Sequence, residues 1–275
     1  MKGVSLQVSA NTVLRGIFTC LLVVTVACSS DLVDTAESKK GTRDKSEGSI
    51  ASMSQQLDSI GLIHNAVLDV AYNALVSNQI PVHSSPLSRT AIADSCHVVV
   101  NAYFSSLGMS SSGWVNSYTT YAPRMSGSLV DFADTCSALN STAKLIIKKL
   151  DTAIVRYSDG IRSLAQFDYT CDSLKSACIS QLSGDQVVFA GAAVATARAS
   201  AAYWDANSAL WDDELDYSTL KMSKSDKAIL RSDAQGAVGG AILGVFGGPV
   251  GILSGAWFSG CVGSIIEGVC IGFGW

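Results

Sequence analysis

Over most of this chain, apolar positions recur every three or four residues, which is the period of an α-helix. From Leu57 to Val76 the stripe is Leu57, Ile60, Ile63, Val67, Val70 and Ala74. Asp58 or Ser59 is its candidate cap, and Pro81 lies past its end. A second helix is expected from Ser88 to Leu107, with Ile92, Cys96, Val99 and Tyr103 on one face and Gly108 as terminator. Ser126 to Tyr157 carries Leu129, Phe132, Cys136, Leu139, Ala143, Ile146, Leu150, Ala153 and Tyr157 in alternating short steps. That is a heptad seam, and it predicts one long helix. Asp159-Gly160 marks a break, and Ile161–Leu182 follows with Leu164, Phe167, Cys171, Leu174 and Cys178 on its stripe. Asp185 to Trp211 is alanine-rich, and Arg198 is the only charge between Asp185 and Asp205. An arginine near the middle of a membrane span costs about 3 kcal/mol, so this stretch reads as the central helix of a bundle. Lys224 to Asp233 opens the last helix. The predicted fold class is all-α: a helical bundle ending in an apolar glycine-rich hairpin.

The hairpin is the most unusual stretch. Between Asp233 and Glu267 there is no charged side chain, and thirteen of the chain's 24 glycines lie in residues 234–275. Gly236, Gly240, Gly244 and Gly248 stand four apart, as do Gly247, Gly251 and Gly255. Residues at that spacing share one helix face, and a glycine face admits another backbone closely. The expected helix-packing residues are Gly236, Gly240, Gly244, Gly248, Gly251 and Gly255. Gly247-Gly248-Pro249 reads as the turn between two arms. As helices, Ala234–Gly248 and Val250–Ile266 would be about 22 and 25 Å long. Both are short of a bilayer core of about 30 Å, so insertion and burial against the bundle compete.

The N-terminus carries Lys2 and Arg15, an apolar run from Gly16 to Ala27, and then Cys28. The run is too short to span a bilayer and suits a secretory signal. Thr25-Val26-Ala27-Cys28 resembles the lipobox of bacterial lipoproteins, with threonine where leucine is commoner. The resemblance implies cleavage after Ala27 and a diacylglycerol on Cys28, the candidate lipidation site. Two or more acyl chains give stable anchoring. Ser29-Ser30-Asp31 after the cysteine resembles surface-sorted lipoproteins of Bacteroidetes, which implies an outer-membrane location on either leaflet. The charge-mixed stretch to Ser49, with Lys39, Lys40, Arg43, Asp44, Lys45 and Glu47, reads as a flexible tether. The expected organisation is a signal over 1–27, a lipidated tether over 28–49, a bundle over 50–233 and the hairpin over 234–275.

With Asp+Glu at 23 against Lys+Arg at 19, the chain is net acidic at −4. That leaves no footprint for nucleic acid and no attraction to anionic headgroups. Membrane contact is therefore expected through acylated Cys28 and the apolar tail, with self-association through the glycine face as a further use. Cys96, Cys136, Cys171, Cys178, Cys261 and Cys270 have no zinc or redox spacing, so small buried hydrophobes are the default, with one interhelical bridge allowed. The acids Asp212, Asp213, Glu214 and Asp216 lack the turn glycine and distal glutamate of a calcium loop. Trp114, Tyr118 and Tyr121 sit in a serine-rich connection expected to cover a core edge. Of His64, His83 and His97, His64 sits at the edge of the first stripe, where a core histidine is the default. No metal-protease, nucleophile-elbow, phosphate-loop or dinucleotide motif is present. No catalytic residue, metal ligand or cofactor is assigned.

Two segments carry a wider resemblance. Asp58-Ser59-Ile60-Gly61-Leu62-Ile63-His64-Asn65, with Leu68, and Arg231-Ser232-Asp233-Ala234-Gln235-Gly236-Ala237-Val238-Gly239-Gly240 resemble segments of Bacteroidetes proteins that have no assigned activity. The resemblance implies source and architecture only. The expected role is a lipid-anchored envelope protein, structural or interacting, with a membrane-associating glycine-zipper tail. The rival is a membrane-permeabilising, bacteriocin-like protein carrying an apolar hairpin in a helical body.

Overall fold

The computed structural model describes residues 42–80, 89–107, 128–215, 227–244, 255–256 and 259–265. The chain divides into compact units Met1–Glu47 and Gly48–Trp275, and the packing below is that of the second. The regular elements are helices, with no strand among the described residues, as the all-α expectation requires. They are α1 (Thr42–Val76), α2 (Arg89–Ser106), α3 (Leu129–Thr135), α4 (Ser141–Ser158), α5 (Leu164–Gln181), α6 (Asp185–Leu215) and α7 (Lys227–Gly244). Residues 255–256 and 259–265 are helical as well. The signal, Cys28, the connection with Trp114, Tyr118 and Tyr121, the Gly247-Gly248-Pro249 turn, Gly251 and Cys270 lie outside the described residues.

Helix α1 starts at Thr42, inside the stretch expected to be tether. Ser52–Val76 is long and apolar enough by composition to cross a membrane. Its expected stripe is buried inside the protein at Leu57, Ile60, Ile63, Val67 and Ala74 and half-buried at Val70, with Leu68 and Ala71 buried beside it. Close approach to α6 explains Gly61: a Cβ there would stand 2.8 Å from Ala199 Cβ and 3.1 Å from the Ala195 carbonyl oxygen.

The long heptad helix is instead two helices. Helix α3 ends at Cys136, and Asn140 caps α4 by accepting from Ala143 N at 2.8 Å. The break is held from a distance, because Gln186 accepts from Asn140 N and donates to the Ala138 carbonyl, both at 2.9 Å. Leu139 lies in this turn and is still buried, so the seam's inward side survives the break. Helix α5 opens with a capping box, Ser163 and Gln166, that satisfies two free amide donors reciprocally. Gly160, at φ +71, makes the preceding turn in a region that L side chains rarely adopt.

Helix α6 is the central helix, packed on α4, α5 and, most extensively, α7. Its inward alanines at 190, 192, 193, 197 and 201 are fully buried. Arg198 sits at its edge, with Nε 2.5 Å from Asp168 Oδ1 and Nη1 2.5 Å from Asp172 Oδ1 on α5. Trp204 and Trp211 share one side of α6 as expected, with ring centroids 5.2 Å apart, and Tyr72 of α1 joins Trp211 at 5.6 Å. The helix runs through Leu215, so the acids expected to end it at Asp212 begin inside its last turn.

Candidate functional site: a buried polar cluster at the root of the tail

The two segments singled out in the sequence meet in the core. Arg231, at the half-buried rim of α7, donates to both oxygens of Asp151 on α4, at 2.7 and 2.9 Å. Asp151 also accepts from Leu129 N at 3.2 Å, so one carboxylate ties α3, α4 and α7 together. Two residues further on, Asp233 points inward and is fully buried. Ser264 Oγ donates to Asp233 Oδ2 at 3.0 Å, and His64 Nε2 lies 3.4 Å from the same oxygen. His64 Nδ1 stands 3.0 Å from Asn65 Oδ1. The helical period brings this about: His64 lies one turn from buried Ile60 and Leu68, and Asp233 lies one turn from buried Ile229 and Ala237.

The cluster is incompletely satisfied. Asp233 Oδ1 and His64 Nε2 make no hydrogen bond among the described residues. On the facing side of α6, Thr196 Oγ1, Ser200 Oγ and Trp204 Nε1 stand four apart and are likewise buried without a partner among the described residues. Burying the unbonded atoms is costly, and the close packing around the cluster offsets that cost.

That packing is supplied by glycine. A Cβ at Gly236 would collide with the Ser259 carbonyl oxygen and stand 3.2 Å from Gly260 Cα. One at Gly240 would collide with the Gly255 carbonyl oxygen and stand 2.6 Å from Ser259 Oγ. At Gly263 it would meet the Ser232 carbonyl oxygen at 3.3 Å, and at Gly260 it would meet Thr196 Cγ2 at 3.4 Å. Residues 232–241, 255–256 and 259–265 are all buried in the protein itself. Of the expected packing glycines, Gly236, Gly240 and Gly255 are thus brought together. Gly244 ends α7, and Gly248 and Gly251 fall outside the described residues.

The geometry of the cluster differs from that of a nucleophilic triad. In a nucleophilic triad the imidazole stands between the hydroxyl and the carboxylate and takes the hydroxyl proton. Here the carboxylate stands between, and Ser264 donates directly to Asp233. No set of three or more His, Cys, Asp or Glu side chains is arranged to hold a metal among the described residues. Cys261, one turn before Ser264, is pushed well up by burial, with the Asp233 charge adding to the effect. Burial also pushes the Cys171 and Cys178 thiols up to about 12, partly offset at Cys171 by Arg198. Cys136, Cys171, Cys178 and Cys261 are free thiols, so the allowed interhelical bridge is not formed among these four. Of the other histidines, His97 is buried on α2, where desolvation lowers its pKa against the opposing field of Asp94. His83 lies outside the described residues.

A second polar group backs the aromatic cluster. Trp211 Nε1 donates to Tyr203 Oη at 3.3 Å. Asp69 on α1 is raised by burial, an effect partly offset by its hydrogen bond with Tyr203. Sequence reasoning missed Asp69, Asp151 and Ser264, because each matters through a partner more than twenty residues away. No family model, curated protein or solved structure matches this chain.

Proposed function

We propose that this chain is a lipid-anchored protein of the cell envelope, attached to the outer membrane through acylated Cys28. It acts as a structural or interaction component, and its glycine-zipper hairpin is docked in its own core. The observation that supports the docked hairpin is the backbone-close packing of Gly236 and Gly240 on Gly255, Ser259 and Gly260, with both sides buried. An apolar tail housed in this way gives up little by staying out of a bilayer, so attachment falls to the acyl chains. The glycine face is also occupied within the chain, and self-association through it requires the two arms to part. No reaction or cofactor belongs to this role.

Fractionation of cells expressing wild type, Cys28→Ala and a deletion after residue 233 tests it. Cys28→Ala is expected to leave the membrane fraction and lose lipid label, while the deletion stays attached but turns over faster. Release by the tail deletion, with Cys28→Ala still bound, would show the tail to be the anchor instead.

One observation favours a membrane-permeabilising role as the second reading. Residues 234–266 carry no charge, and the described part of them is sheathed by helices, as a bilayer-seeking segment must be while in water. That role predicts dye release from liposomes and killing of related bacteria, and the anchored structural role predicts neither.

A further inference from the structure

We infer that His64, Asp233 and Ser264 form a latch that keeps the two glycine-faced arms docked in the bundle, and that both arms leave together when it opens. The inference rests on the hairpin reading above and adds how that hairpin is controlled. Three elements meet at one carboxylate oxygen: α1 through His64 Nε2 at 3.4 Å, α7 through Asp233 itself, and the second arm through Ser264 Oγ at 3.0 Å. At this oxygen α1 and the second arm both reach α7, and all three side chains are buried.

Around it the arms pack closely, as at Gly260 against Thr196 and Gly263 against Ser232. Such contacts depend on fit and lack direction. The cluster adds a directional contact, and it is under-satisfied, with Asp233 Oδ1 and His64 Nε2 unbonded among the described residues. A contact of this kind is bistable. Docked, it sits in a low dielectric where each remaining bond is strong, and undocked, all its polar atoms regain water. The rim pair Arg231–Asp151 two residues away is fully bonded and partly exposed, so it positions α7 without sharing this property. An opening confined to the cluster would free residues 232–241, 255–256 and 259–265 as a unit and leave α4 and α5 folded.

Amide hydrogen exchange of the full chain tests this, comparing wild type, Asp233→Ala and Ser264→Ala. Asp233→Ala is expected to speed exchange at least tenfold in residues 232–241 and 259–265 together, with 143–157 and 167–178 unchanged. Ser264→Ala retains the carboxylate and is expected to act in the same two segments to a smaller degree. Arg198→Gln, which cuts the α5–α6 pair, serves as the general destabiliser and is expected to act first in α5. Faster exchange spread evenly over all helices in both Asp233→Ala and Ser264→Ala, or no change in either, would overturn the latch. Faster exchange in 232–241 alone would overturn the latch and the hairpin together, whereas the loss of the latch alone leaves the two arms protected as a pair.

Discussion

Helices α6 and α7 are both built from small residues and pack on each other, yet they use smallness differently. Along α6 the small residue is mainly alanine, and what enters the space is side chain. Gly191 shows this, because the nearest atoms to a Cβ there belong to the Leu57 side chain, its methyls at 2.7 Å and its Cγ at 3.3 Å. Along α7 the small residue at the contact is glycine, and what enters is backbone: the Ser259 carbonyl at Gly236 and the Gly255 carbonyl at Gly240. A methyl group can rotate away and a helix carbonyl cannot, so the two stretches of similar composition should respond oppositely to one added methyl group. The polar residues follow the same division. Arg198 on α6 keeps its guanidinium at the half-exposed edge with Asp168 and Asp172, whereas Asp233 on α7 is enclosed with His64 and Ser264.

The comparison can be broken most severely at Gly236. Gly236→Ala should destabilise the chain by about 3 kcal/mol, the upper range for overpacking, because the obstacle is backbone. Denaturant unfolding reads this, and a loss under about 1 kcal/mol would mean that the arms are not in backbone contact. Arg198→Ala should cost about 1 kcal/mol, since the pairs with Asp168 and Asp172 are charge-assisted but screened by solvent. A loss well above that would place Arg198 in the core rather than at the edge. Gly191→Ala should fall within about 0.5 kcal/mol of wild type, because the gain in helix propensity offsets a small displacement of Leu57. A large loss there would make α6 a backbone-contact helix like α7.

Much of this was legible in sequence, and the exceptions share a cause. The stripes through Leu57, Ile60 and Ile63 and through Phe167, Cys171 and Cys178 are the buried faces expected from their period. The glycine spacing anticipated the contacts at Gly236 and Gly240. The break in the Ser126–Tyr157 seam was signalled by Asn140-Ser141-Thr142, a cap sequence, but the seam runs through it in step because Leu139 faces the core from within the turn. The helical start at Thr42 was hidden by its polarity, since a helix polar on every side has no period to read. His64 looked like an edge residue because its partners, Asp233 and Ser264, are remote in the chain. Only the fold puts the two resembling segments side by side.

The most direct test of backbone contact along α7 is the unfolding free energy of two neighbours, Gly239→Ala and Gly240→Ala. Nothing lies within 4 Å of a Cβ at Gly239, whereas one at Gly240 meets the Gly255 carbonyl. Gly239→Ala should leave stability unchanged or raise it by about 0.5–1 kcal/mol through helix propensity. Gly240→Ala should lower it by about 3 kcal/mol. Equal effects at the two positions, or a Gly240→Ala chain as stable as wild type, would contradict the account.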